Sequence, residues 1–258
     1  VQLGVRGPAH PETGLRLGLD AVAWAQAGLV DTIVVTPRWS TLEFDMPLSA
    51  WREQLAGTGA SLAGGIEVRL QAVRNGPAGL VTPEHAVGAA VAVLHGGADA
   101  VYLFNYFPSQ HPPWESGAYV RTLRAMSSLG DLSRLPRRHV LTYRDIVAPG
   151  ETYRPPLPAG GVQVTRVLPT GPKPPLDWRG ELFLGLDLAP AAGDALPTVA
   201  VNGRGCGAGQ SVSESGMLRY AFPVDALTGS GRETITVTSP DGRPLTVVHL
   251  EVRLAPAG

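Results

Sequence analysis

The sequence predicts an α/β unit followed by an all-β unit. Residues 1–133 read as half, or the carboxyl-terminal part, of a (β/α)8 barrel; 134–161 read as a Pro/Gly-rich connection and 162–258 as a β-sandwich. Three observations predict this. Apolar runs of strand character start near residues 2, 31, 61 and 98, roughly one βα unit apart. Each is followed by helix-forming sequence, and repeated strand–helix units imply a parallel sheet with right-handed crossovers. Past residue 130 helical patterns give way to short alternating runs separated by Pro and Gly. Four units in about 130 residues are half of a barrel that needs about 250. The alternative is an open doubly wound sheet, but no Gly-rich phosphate loop directly follows a strand.

The first strand is Gln2–Gly7, followed by helical sequence from Pro11 to Ala27 that Gly18 breaks, Asp20 can cap afresh and Gly28 can close. The second strand, Asp31–Pro37, leads through a loop to a helix over Pro47–Ala56 that Gly57 and Gly59 end. The third, Ser61–Leu70, is the centre of the unit. Thr82-Pro83-Glu84 then starts a helix with a good cap and proline at its first position, apolar on the Val87/Val91/Leu94 side. The fourth strand is Ala98–Phe107, and a last helix covers Ser116–Ser128. In the second half, strands are expected over His139–Arg144, Val162–Leu168, 181–188, 197–202, 217–224, 233–239 and 245–254. Ser239-Pro-Asp-Gly-Arg243 predicts a hairpin between the last two.

Composition excludes several classes. A chain of 258 residues, 44% hydrophobic with net charge −1, has a real core and no basic run, which argues against a nucleic-acid partner. Lys173 is the single lysine, a sign of base composition in the gene rather than of a binding surface. Cys206 is alone, so no intrachain disulfide framework or thiolate metal cluster is expected. His10, His85, His95, His111, His139 and His249 follow no HExxH-type spacing, and neither a metal nor a cofactor is predicted. No Gly-x-Ser-x-Gly elbow occurs. Asn202–Gly209 is glycine-rich, but no helix follows it, so it reads as a turn. No apolar run reaches membrane-spanning length. The first residue is Val, from which a processed terminus or a longer parent chain is expected.

Candidate chemistry gathers at the strand ends. Alternation in the third strand places Gly65, Glu67 and Arg69 on one face and Ile66, Val68 and Leu70 on the other. The apolar face suits helices; the polar face suits the mouth of a barrel, where a carboxylate near a strand's carboxyl end is a catalytic candidate. Glu67 is therefore the first candidate, the alternative being that Glu67 and Arg69 neutralise each other. The other three strands add Arg6, Arg38 and Asn105 near their carboxyl ends, while Trp39, Tyr102 and Tyr106 supply aromatic surface on which a sugar ring could stack. The arginines would hold Glu67 ionised, as a nucleophile requires, or bind an acidic ligand. Glu43 and Asp45 could reach over the mouth, and Asp45 could equally cap a helix.

The segments Pro37-Arg-Trp-Ser-Thr-Leu-Glu-Phe-Asp-Met-Pro47, Gly65-Ile-Glu67 and Tyr102-Leu-Phe-Asn-Tyr-Phe107 resemble bacterial glycoside-hydrolase-like barrel proteins, a family-ten-like group related to the clan A glycoside hydrolases. The resemblance covers about residues 1–145. It implies strands five to eight, with Glu67 at the nucleophile position on strand seven. The acid/base residue of strand four has no counterpart here. It also implies a carbohydrate ligand, with Arg6, Arg38, Trp39, Asp45, Arg69, Asn105 and Tyr106 around it, and favours a secreted or periplasmic location. Retaining hydrolysis needs two carboxyl groups, so this chain by itself is expected to be a poor hydrolase. A non-catalytic carbohydrate-binding or cell-surface protein, with the barrel as scaffold, is the rival reading. A third is pairing of the half-barrel with a second chain or with a preceding amino-terminal segment, through open strand edges at Leu3 and Leu103.

Overall fold

The computed structural model describes residues 1–107, 114–191, 193–212 and 215–257. His111 lies outside them. Strands β1 (Gly4–Pro8), β2 (Thr32–Thr36) and β3 (Ser61–Ile66) are parallel neighbours. A two-residue ribbon of β4 (Arg69–Leu70) and β5 (Gly79–Leu80) intervenes before β6 (Ala100–Leu103), which joins β3 in parallel. Helices α1 (Pro11–Arg16) and α2 (Ala21–Gln26) follow β1, α3 (Leu48–Gln54) follows β2, and α4 (Pro83–His95) precedes β6. After β6 come α5 (Ser116–Ala125) and α6 (Leu129–Leu132).

Local chemistry explains the breaks. Gly18 turns the chain at φ 82°, the Asp20 carboxylate accepts the Ala23 N–H at 2.9 Å to start α2, and Gly28 ends it at φ 68°. Thr82 caps α4 in a reciprocal arrangement with His85, and Pro83 needs no amide partner at the first turn. The registers Val5–Ile33–Leu62 and Arg6–Val34–Ala63 sort the sheet into two faces. Ile33, Val35, Leu62 and Ile66 bury one face in a core with Ala25, Trp51 and Val91. Each such side chain contributes about 1.5–3 kcal/mol. Gly64 lets α4 lie close, since a Cβ there would come within 2.6 Å of Val93.

The second half is antiparallel: β7 (Arg137–Val140), β8 (Ala159–Gly161), β9 (Gln163–Pro169), β10 (Trp178–Leu186), β11 (Thr198–Val201), β12 (Arg204–Gly205), β13 (Gln210–Val212), β14 (Met217–Pro223), β15 (Arg232–Thr238) and β16 (Leu245–Pro256). One sheet runs β13-β14-β10-β16-β7, with β8 also on β16; the other runs β12-β11-β15-β9. They share an apolar core to which Leu182, Tyr220, Leu250 and Val252 contribute from the first, and Val164, Leu168, Val201 and Ile235 from the second.

The expected hairpin over Ser239–Arg243 does not form. Its turn is built as the sequence suggests, with the Asp241 carboxylate accepting from Ser239 and from the Arg243 N–H. The strands on either side nevertheless belong to different sheets, because β15 pairs with β9 and β16 pairs with β8, β10 and β7. Both flanking strands bury residues in the shared core, and their longer pairings with β9 and β10 override the local turn.

The two halves meet where β7 lies on α4. Gly88 of α4 has no side chain, and a Cβ there would sit 1.9 Å from the Arg138 carbonyl oxygen. Because β7 covers its second side, α4 is buried from His85 through Val91 rather than along one stripe. Charged groups rim the contact. Glu84 accepts from Arg138 and Arg253 at 2.8 Å, and Glu251 accepts from Arg138 and lies 3.0 Å from His249.

Candidate functional site

Glu67 follows β3 directly. The face it inherits is the one away from the helices: a Cβ on Gly65 would strike Thr36 at 2.3 Å, and Gly65 pairs in register with Tyr102. Only 7% of Glu67 is exposed. Its carboxyl is pushed up to about 7, most by burial and next by the negative charge of Asp145; Arg6 and the Val68 N–H act in the opposite direction. The expectation that arginines hold it ionised is therefore corrected. Burial and a second carboxylate outweigh the single guanidinium that counts, because Arg6 is itself exposed and stacked on Phe104 at 4.1 Å.

Arg38 and Arg69 stand elsewhere. Arg38 is exposed and lies 4.6 Å over the ring of Trp39, itself 62% exposed. Arg69 does not share the sheet face of Glu67. The chain leaves the parallel sheet after Ile66, and the Arg69 carbonyl accepts the Leu42 N–H while β4 pairs with β5. Among the described residues no salt bridge joins Glu67 to Arg69. Asp45 is neither a helix cap nor a group at the sheet mouth; it accepts two hydrogen bonds from Arg232 of β15.

On the fourth strand the register with β3 sets the faces. Leu103 pairs with Ile66 and so lies on the helix side, while Tyr102 shares the face of Gly65. Asn105 lies beyond the strand end, exposed, in left-handed backbone at φ 49°. Tyr106 is buried edge-on against Trp114. Among the described residues its hydroxyl has no hydrogen-bond partner, and it is held far above the ordinary tyrosine range by burial, by Tyr119 and by the charge of Glu67. Tyr106 thus borders Glu67, whereas Asn105 does not share its strand face.

Asp145 is the group that the sequence reading missed. One of its oxygens accepts the backbone N–H groups of Arg38, Trp39 and Ser40 at 2.5, 2.6 and 3.1 Å. Three convergent amides form an anion nest and pin the loop after β2 to the chain beyond β7. Its own N–H donates to Glu43 at 2.8 Å, and the other Glu43 oxygen lies 3.4 Å from His10 Nε2. The only sequence signal was an acid shortly after a strand, in a segment read as connection. A cleft of about 420 Å³ opens beside Asp145, lined by Arg38, Trp39, Ser40, Arg74 and Val147.

A buried carboxyl raised to about 7 can donate or accept a proton near neutral pH, and an exposed indole at the cleft can stack on a ring. Among the described residues no group of three or more His, Cys, Asp and Glu side chains is placed to hold a metal ion. Among the described residues no helix is long and apolar enough to cross a membrane.

No family model and no curated protein matches the chain. Solved structures to which it is similar include a BuGH86 variant in complex with neoagarooctaose (17% identity, 37% of this chain and 17% of that one, TM-score 0.27). Wild-type BuGH86 with the same ligand matches at 14% identity over 46% of this chain and 19% of that one, TM-score 0.29. BpGH86A, a β-porphyranase of glycoside hydrolase family 86 from the human gut bacterium Bacteroides plebeius, matches at 10% identity over 89% and 64%, TM-score 0.28. The chain spans less than a fifth of the first two and under two thirds of the third. Overlaps this weak carry no argument about activity.

Proposed function

We propose that this chain acts on or binds carbohydrate as the carboxyl-terminal portion of a glycoside-hydrolase-like protein of the clan A kind. In this reading β1, β2, β3 and β6 are strands five to eight of a (β/α)8 barrel, and the antiparallel sheets form a β-sandwich behind it. Glu67, at the end of strand seven, is the catalytic carboxyl group, and the partner acid/base comes from a preceding half-barrel. The observation that carries the reading is a buried carboxyl at the carboxyl end of a parallel strand, with an aromatic cleft nearby. Attack on an anomeric carbon needs the ionised form, which Arg6 favours and Asp145 opposes. In this chain alone Glu67 is as much proton donor as nucleophile at neutral pH.

The test is hydrolysis of aryl glycosides by the chain joined to the gene segment that precedes it, with and without Glu67→Gln. A loss on the order of 10³-fold is expected for a group acting in proton or covalent chemistry. Activity unchanged by the substitution sinks the assignment. One observation favours the non-catalytic alternative: Trp39, exposed at the cleft, needs no carboxyl group to hold a sugar ring. If both forms bind oligosaccharide equally and neither hydrolyses it, the binding reading stands.

A further inference from the structure

A second cleft, of about 330 Å³, lies at the seam between the two halves, with Glu43 on its wall. Four arginines line it: Arg144 and Arg154 from the segment after β7, Arg166 from β9 and Arg232 from β15. Two of them are matched by carboxylates. Arg144 pairs with Glu151 at 2.7 Å, and Arg232 pairs with Asp45. The other two are not. Arg166 donates from Nε and Nη1 to the carbonyl oxygens of Pro156 and Thr165, which does not cancel its charge. Arg154 makes no hydrogen bond or ion pair among the described residues.

A further carboxylate on the wall, Glu43, accepts the Asp145 N–H, which does not cancel its charge. Four arginines against Glu151, Asp45 and Glu43 leave the cleft and its ion-pair partners an excess of one positive charge. Its floor adds a buried polar group. The ring of His10 is more than nine-tenths buried and lines this cleft, with its Nε2 3.4 Å from an oxygen of Glu43. Phe44, Tyr143 and Tyr153 supply flat walls beside the guanidinium groups.

We propose that this seam cleft is a second ligand site, taking a small molecule that carries an oxyanion, with Arg154 and Arg166 as its charged contacts. Guanidinium groups pair with carboxylate or sulfate oxygens through short, charge-assisted bonds, and the aromatic walls admit a ring attached to the anion. The site is independent of Glu67, which does not line it.

The experiment is calorimetric titration of the full chain with three probes: inorganic sulfate, glucuronate and glucose. Saturable millimolar binding of sulfate or glucuronate is expected, with no binding of glucose. Binding of both anions identifies the oxyanion as the recognised group, and binding of glucuronate alone adds the ring. Arg154→Ala, which removes no hydrogen bond within the fold, should weaken anion binding about tenfold while leaving the unfolding midpoint unchanged. Arg166→Lys keeps a charge but loses the fork, and should weaken it less. Glu67→Gln should leave it unaltered. Failure of both anions to saturate, equal binding of glucose, or anion binding indifferent to Arg154→Ala overturns the site and makes the cluster a solvated arginine patch.

Discussion

Glu67→Gln should stabilise the protein above neutral pH. The carboxyl rises from 4.5 to about 7 on folding, so the fold disfavours its ionised form by about 3 kcal/mol. A group whose folded value is raised contributes its full stability below pH 4.5, where it is protonated in both states. That contribution declines as pH rises and is lost beyond about 7. Glutamine keeps the shape, can accept the Val68 N–H and carries no charge beside Asp145. Wild type and variant should therefore unfold at equal urea concentration near pH 4, whereas at pH 8.5 the variant should be more stable by about 2–3 kcal/mol. Equal stability at both pH values, or a variant weaker at pH 8.5, would refute the claim that burial and Asp145 outweigh Arg6.

Three further outcomes follow from the same geometry. Asp145→Asn should lower the Glu67 titration midpoint, since the charge that raises it is gone, as followed by isotope-edited infrared of the carboxyl band; an unchanged midpoint would remove Asp145 from the site. Gly88→Ala should cost about 2–3 kcal/mol or prevent folding, because its methyl would overlap the Arg138 carbonyl at 1.9 Å; thermal unfolding measures this, and a cost below that of an ordinary helix substitution would refute the tight α4–β7 seat. Glu251→Gln should cost about 2–4 kcal/mol at pH 7 in urea unfolding. Hydrogen bonds from its histidine and arginine partners hold this carboxyl well below the usual range, so wild type should lose that stability only as pH falls below 4.5, and the gap to the variant should close in acid.

Local signals were readable wherever they came from neighbours in sequence. The Gly18–Asp20 restart, the Thr82-Pro83 cap and the alternation Leu218/Tyr220/Phe222 all depend on the chain within a few residues of itself. The site was readable only in part. Glu67 follows from alternation because it is one residue past a regular strand, but Arg69 and Asn105 do not, since alternation lapses once the chain leaves the sheet. Asp45 and Arg232 are far apart in sequence, and nothing local to either residue marks the other as its partner.

The sequence by itself determined the order of element types, the apolar faces of β2 and β3, and a carboxylate at the end of the third strand, because spacing and alternation are properties of the backbone. Only the tertiary structure decided the charge state and neighbours of that carboxylate. A pKa depends on what burial and long-range folding bring within a few ångströms, and here the loop after β2 and the segment beyond β7 bring Asp145 there. The same holds for strand pairing. The Ser239–Arg243 turn specifies a reversal of the chain, but whether its strands pair depends on the partners each finds in the shared core.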